Sequence, residues 1–173
     1  MTGKFLAAAI VISALIAGVS IYYLQVYGYY YSVDATGPED VMLVPVSGGD
    51  PQPIPFTDFQ AINGDSSPIR YRACFTTSLG MDDLAAYAPY PFAIPRNAPG
   101  WFDCFDATSI GAALDNGTAK AFLSVENIAY GIDRIAAITN DGRGFVWHEI
   151  NSCGKEVFDG KPVPEGCPTP PDR

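Results

Sequence analysis

The first 33 residues contain no aspartate or glutamate and one charged side chain, Lys4. The whole chain has a single histidine, His148. A paired-histidine metal site therefore has no second imidazole, and H-E-x-x-H cannot occur. No Walker A loop or G-x-G-x-x-G is present to cradle phosphates, and no G-x-S-x-G presents a nucleophilic serine. The cysteines never form C-x-x-C, which argues against a thiol oxidoreductase, and their isolated spacing fits no structural zinc pattern. No internal repeat is visible. Basic residues are scarce, ten against nineteen acidic ones.

That last shortage is sharper downstream. From Asp34 onward nine Lys/Arg stand against nineteen Asp/Glu, a net charge of −10. An acidic domain repels phosphate backbones, so no nucleic-acid partner is expected, and anionic lipid surfaces are disfavoured too. The composition is 48% hydrophobic, enough for a buried core. Fifteen prolines and seventeen glycines point to short elements joined by many loops.

What fills the charge-free stretch is apolar. Phe5 to Leu24 is 20 residues, the length a helix needs to cross about 30 Å of hydrocarbon. The alternative is a cleaved secretory signal. Its best cleavage site, Gly18-Val19-Ser20, lacks the A-x-A pattern, and the apolar character continues past it. "LIAGV" resembles a lipoprotein signal, but Val19 stands where the acylated cysteine would be. A retained anchor is the expectation. Tyr22, Tyr23, Tyr27, Tyr29, Tyr30 and Tyr31 follow it. Their rings are apolar and their hydroxyls need water or a partner, which suits the headgroup level of a membrane. A tyrosine-specific ligand site is the other reading of the same residues. Lys4 on one flank and Asp34, Glu39 and Asp40 on the other predict a cytoplasmic amino terminus and an exported domain. Ala14 and Gly18 form a small-xxx-small pair that would permit close helix packing.

Cys74, Cys104, Cys153 and Cys167 all lie beyond the anchor. An even count in an exported domain predicts two disulfides. Three pairings are possible, and sequence proximity favours Cys74 with Cys104 and Cys153 with Cys167. The second pair would close a 15-residue loop, worth roughly 3 kcal/mol by chain entropy.

The local patterns predict an α+β fold: one amino-terminal transmembrane helix, then a small periplasmic domain with an antiparallel sheet, short helices and disulfides. "VMLVPV", "PIPFTDFQAI", "PIRYRACFTTS" and "AKAFLSVENI" read as strands. "IDRIAAITNDGRGFVWHEI" reads as a hairpin turning at "NDGRG". Both Ile69-to-Cys74 and Phe145-to-Ile150 alternate as half-buried strands would. "SLGMDDLAAYAPY" and "DCFDATSIGAALDNG" predict short helices, the latter capped by Asp106, Thr108 or Ser109 and stopped at Asn116-Gly117. Four prolines make 89–99 irregular. The expected divisions are 1–4 as the cytoplasmic end and 5–31 as the transmembrane helix with its outer aromatic belt. A linker at 32–40, the periplasmic domain at 41–151 and a disulfide-tied Pro/Gly-rich tail at 152–173 complete them.

Reactive constellations are thin. Ser152-Cys153-Gly154-Lys155 fits S-x-x-K, but Cys153 is expected in a disulfide and the companion S-D-N and K-T-G motifs are absent. Asp82 with Asp83, and Asp103 with Asp106, read as helix-start charges rather than as calcium or acid–base pairs. Asn116-Gly117-Thr118 is a glycosylation sequon. No catalytic residue, metal ligand or cofactor is assigned. Trp147 and His148 remain as the one candidate ligand position.

The segment "GKFLAAAIVISALIAGVSIYYLQVYGYY" resembles an uncharacterised alphaproteobacterial family of short proteins. Its members have one amino-terminal membrane helix and a cysteine-containing exported domain of unknown function, and some carry a "histidine kinase" label. The resemblance implies the same architecture here and brings no catalytic residues. The kinase label does not fit, because the chain lacks an ATP-binding glycine motif and a helical dimerisation segment around a histidine. The expectation is a single-pass protein of the bacterial inner membrane that contacts membrane or envelope proteins as an accessory or assembly factor. The alternative is an envelope enzyme or small-ligand sensor with its site near His148 and the loop "YAPYPFAIPRNAPGWF".

Overall fold

A computed structural model describes residues 2–171. Met1 of the expected cytoplasmic end, and Asp172 and Arg173 of the tail, lie outside the described residues. Helix α1 (Thr2–Tyr23) has apolar side chains on every side, and none of its described residues is buried in the protein. A helix apolar all round needs a non-aqueous environment, and this one is long and apolar enough to span a membrane.

The helix ends earlier than 31. Its last turn, Leu24–Gly28, widens into a π-helical turn closed by the Tyr29 N–H on the Leu24 carbonyl at 3.0 Å. Two residues later the chain is already strand β1 (Tyr31–Val33). Tyr29 to Tyr31 thus leave the helix, because Asn63, Ile62 and Ala61 offer Tyr31, Ser32 and Val33 a ladder to pair with. The expected linker at 32–40 is likewise part of the domain. The Asp40 carboxylate accepts from Thr36 N–H (2.6 Å), the Thr36 hydroxyl (2.7 Å) and Gly37 N–H (2.9 Å), fixing the turn before the 3-10 segment Pro38–Asp40.

The domain is built on a six-stranded, wholly antiparallel sheet in the order β1-β4-β5-β8-β7-β6. The strands are β4 (Thr57–Asn63), β5 (Arg72–Thr76), β6 (Ala119–Ala129), β7 (Ile132–Thr139) and β8 (Arg143–Ile150). β2 (Met42–Leu43) and β3 (Gln52–Pro53) form a separate small ribbon. The strand expected over Val41 to Val46 is therefore only two residues long. Pro45 has no N–H for a ladder, and Val44 N–H instead crosses to the Leu123 carbonyl of β6. The predicted β7–β8 hairpin turns through Gly142 at φ +83°, a left-handed conformation that glycine adopts without steric cost.

Both faces of the sheet are covered, so the expected half-buried alternation gives way to continuous burial over 71–75, 135–139 and 144–149. One face packs Ala73, Phe75, Ile138 and Val146 against Val41, Leu43, Ile54 and Leu84 of helix α2 (Met81–Leu84). The other packs Ile135, Ala137, Phe145 and Trp147 against Phe102, Phe105 and Ile110 of helix α3 (Ala107–Asp115). Asp106 caps α3, its carboxylate accepting from Thr108 and Ser109 N–H. Asn116 and Gly117, at φ +76°, end it as expected.

Two disulfides, Cys74–Cys104 and Cys153–Cys167, adopt the proximity pairing. The first ties β5 to the segment before α3. The second ties helix α4 (Ser152–Phe158) to the carboxy-terminal chain. The tail expected from 152 thus begins as a helix, because Asn151 caps it by accepting from Gly154 N–H at 2.9 Å. Cys167 is not its only tether, since the Tyr130 hydroxyl donates to the Pro168 carbonyl at 3.1 Å.

Candidate functional site

Trp147 and His148 are neighbours on β8, so their side chains point to opposite faces of the sheet and cannot share a ligand. Trp147 is fully enclosed beside Phe105 and donates its indole N–H to Glu149 Oε2 at 3.2 Å. His148 stacks on Tyr71 at 4.9 Å. Its Nδ1 lies 2.6 Å from the Pro68 carbonyl, which can only accept. Its Nε2 lies 3.1 Å from Arg134 Nε, which can only donate. Together these partners fix the neutral Nδ1–H tautomer and engage both nitrogens. Burial, with added repulsion from Arg134 and Arg72, lowers the His148 pKa to about 4 against the pull of the Pro68 bond. The arrangement fastens the Pro68 loop to the sheet and leaves no nitrogen free to move a proton. The nearby cleft is open, about 340 Å³, and is lined by Asn63 to Asp65, Pro68, Ile128 and His148.

More polar groups converge on the Trp147 face than the sequence pattern suggested. Arg72 is buried and has no carboxylate partner among the described residues. Its guanidinium donates to the carbonyls of Arg96 (2.9 Å), Asn97 (3.0 Å), Ile69 (2.9 Å) and Tyr71 (2.7 Å). Burial brings its pKa down to about 10. Glu149 Oε2 accepts from Ile94 N–H at 3.0 Å. Across the β7–β8 ladder from Glu149 stands Asp133. Its carboxylate accepts from Asn127 N–H (2.9 Å), Asn151 Nδ2 (2.8 Å) and the Tyr90 hydroxyl (3.4 Å). Burial, then the Asp133 and Glu149 charges, push the Tyr90 phenol well above its ordinary range.

These contacts share one consequence. Asp133 holds Tyr90, Glu149 holds Ile94, and Arg72 holds Arg96 and Asn97. The proline-rich loop has no repetitive structure, yet it is pinned at three heights by buried charged side chains. Burying such groups is tolerable because each is hydrogen-bonded. The loop's outer surface then presents Phe92, 93% exposed, and Ile94, 65% exposed. Phe92 sits at φ +60°, a conformation uncommon for a bulky residue. Beside it runs an open cleft of about 370 Å³ between Pro89–Ala93, Leu114 and Ala119–Phe122.

The loop ends at the helix exit. Trp101 donates its indole N–H to the Val26 carbonyl at 2.6 Å and stacks against Tyr27 at 6.4 Å. Tyr30 meets the same indole edge-on at 6.1 Å. Arg70 donates to Gln25 Oε1 at 2.9 Å and lies over the rings of Tyr29 and Tyr30. Tyr31 donates its hydroxyl to Asp65 at 3.1 Å. Tyr30 is also packed against the core of the Trp147 face. The six tyrosines therefore divide: Tyr22 and Tyr23 stay on the helix, Tyr27 and Tyr29 are shared, and Tyr30 and Tyr31 belong to the domain. Ala14 and Gly18 stand on the exposed helix with nothing packed against them among the described residues.

The remaining sequence candidates fall apart spatially. Asp83 accepts from Gly80 N–H at 3.0 Å and Asp106 caps α3. Ser152 and Lys155 are exposed on α4 with Cys153 in its disulfide. Asn116 Oδ1 accepts from Thr118 N–H within the α3 stop. Sequence reasoning passed over Arg72, Asp133 and Glu149. The signal was a charged residue at an inward position of an otherwise apolar strand.

Residues 41–168 match a family of unknown function (DUF6446), and the chain belongs to it. The matched stretch starts after α1 and β1 and contains both disulfides, the pinned loop and the three side chains that hold it. No curated protein and no solved structure matches the chain.

Proposed function

For this member of a family of unknown function, we propose a role in protein–protein contact. The chain is a single-pass protein of the bacterial inner membrane with a cytoplasmic amino terminus. Its periplasmic domain serves as an accessory or assembly factor of an envelope or membrane complex. The helix α1 and the two disulfides support the anchor and the exported location. The charge asymmetry about α1 supports the orientation.

The observation that carries the contact role is the loop itself. Three buried charged side chains fix a segment whose outward product is an almost fully exposed phenylalanine in a left-handed backbone. With exposed Ile94 and the mainly apolar cleft beside it, that ring forms a fixed apolar patch of the kind protein partners cover. The reading is tested by affinity isolation of the tagged full-length chain from native membranes in mild detergent, followed by mass spectrometry. A defined membrane or envelope protein, recovered in fixed ratio and lost with Phe92→Asp, is the expected result. Recovery only as a free monomer contradicts it.

A further inference from the structure

The junction between helix and domain carries a second surface, distinct from Phe92. We infer that the rim around the helix exit docks on the bilayer itself, with Trp101 and Arg70 lying in the headgroup zone beside Tyr27 and Tyr29. The inference rests on the reading of α1 as a retained anchor.

Depth is the first argument. If Phe5 to Leu24 fills the hydrocarbon, Val26 stands two residues past its edge, about 3 Å higher at 1.5 Å per residue. The headgroup zone extends about 5 to 7 Å beyond the hydrocarbon on each side. Trp101 is hydrogen-bonded to the Val26 carbonyl, so its indole is held within that zone. Arg70, bonded to Gln25, is held at the same level.

Lack of slack is the second. Only Tyr29 and Tyr30 separate the helical turn ending at Gly28 from β1 starting at Tyr31. Two residues span about 7 Å at full extension. Both are already engaged, Tyr29 through Arg70 and Tyr30 through Trp101 and Arg70. A Cβ on Gly64 would meet the Tyr29 carbonyl oxygen at 2.2 Å, so the domain backbone lies directly against the exit. The domain cannot lift away from the bilayer without breaking these contacts.

Chemistry is the third. Tyr27, Tyr29 and Trp101 are 45%, 39% and 37% exposed. Such half-wet aromatic rings, with one polar handle each, are the side chains that settle at membrane interfaces. The aromatic contacts run unbroken from Tyr22 and Tyr23 through Tyr27 and Trp101 to Phe102 in the core. Arg70 faces this zone, but Asp65 and Asp103 stand close by as well. Attraction to anionic lipid is therefore largely offset, and the docking is aromatic rather than ionic.

The chain's two tryptophans make the test direct, since Trp147 is fully enclosed. The full-length protein is reconstituted in phosphatidylcholine vesicles whose acyl chains are brominated either near the headgroup or near the chain end. The shallow bromines should reduce Trp101 emission severalfold more than the deep ones, and Trp101→Phe should remove that quenching. Ile12→Trp in the Trp101→Phe background reports on α1 independently and should be quenched by the deep bromines. Quenching at position 12 without quenching of Trp101 overturns the docking while the anchor stands, whether the rim is then covered by protein or held clear. Quenching at neither position overturns the anchor and the docking with it. Trp101 quenching that requires added anionic lipid overturns the aromatic basis.

Discussion

The Trp101 indole N–H and the Val26 carbonyl are 75 residues apart in sequence and 2.6 Å apart in space. That bond joins the pinned loop to the last helical turn. It makes helix α1 and the domain one body rather than a domain on a string. Trp101→Phe keeps the ring and removes the donor. The Val26–Tyr30 backbone should then open more readily, by about 1 kcal/mol, or roughly fivefold faster hydrogen exchange there. Exchange across β7 should stay unchanged.

Gly64→Ala should act at the same junction from the other side. Its Cβ would fall 2.2 Å from the Tyr29 carbonyl oxygen and against Arg70 Cδ at 2.9 Å. Backbone gives less readily than a side chain, so a cost of about 1–3 kcal/mol is expected. Thermal unfolding in detergent measures it.

Acid should weaken the fold through His148. Its folded pKa is near 4, below the ordinary 6.5. Between those values the unfolded chain takes up the proton and the folded chain does not. Stability is therefore full above about pH 6.5 and falls as pH drops toward 4, by up to about 3 kcal/mol. His148→Asn should flatten this part of the pH–stability curve, read by denaturant titration across that window.

Glu149→Ala removes the acceptor for Ile94 N–H and Trp147 Nε1 at once. The buried Trp147 indole N–H is then unpaired, at about 1–3 kcal/mol, and the part-buried Ile94 N–H loses its only acceptor on the sheet. The near-ultraviolet circular dichroism of Trp147 should change, and the Pro89–Pro99 loop should become protease-sensitive.

The two disulfides should separate in their effects. Replacing Cys74 and Cys104 by serine frees β5, at the sheet centre, from the covering segment and should cost about 2–5 kcal/mol globally. Replacing Cys153 and Cys167 should leave the sheet's unfolding midpoint nearly unchanged while exposing 159–171 to proteolysis.

Much of this architecture could be read from local chemistry. Asn140 to Gly142 announced the β7–β8 turn, Asp106 and Asn116-Gly117 bracketed α3, and the charge-free run announced α1. Arg72, Asp133 and Glu149 were not legible in the same way. Alternation shows which residues share a face, but not that both faces are covered by loops distant in sequence. The same limit hid β1: "YSV" is a strand only because Ala61 to Asn63 lie beside it. Trp101 looked like one more residue of an irregular loop until the fold set it against Val26.

The claim at the centre of this account is that the pinned loop presents Phe92 to a protein partner. A photo-crosslinking amino acid placed at position 92 of the full-length chain, and at exposed Asp159 as a control, tests it in native membranes. The account predicts a single discrete adduct from position 92 and none from position 159. The same adducts from both positions, or none from either, would contradict it.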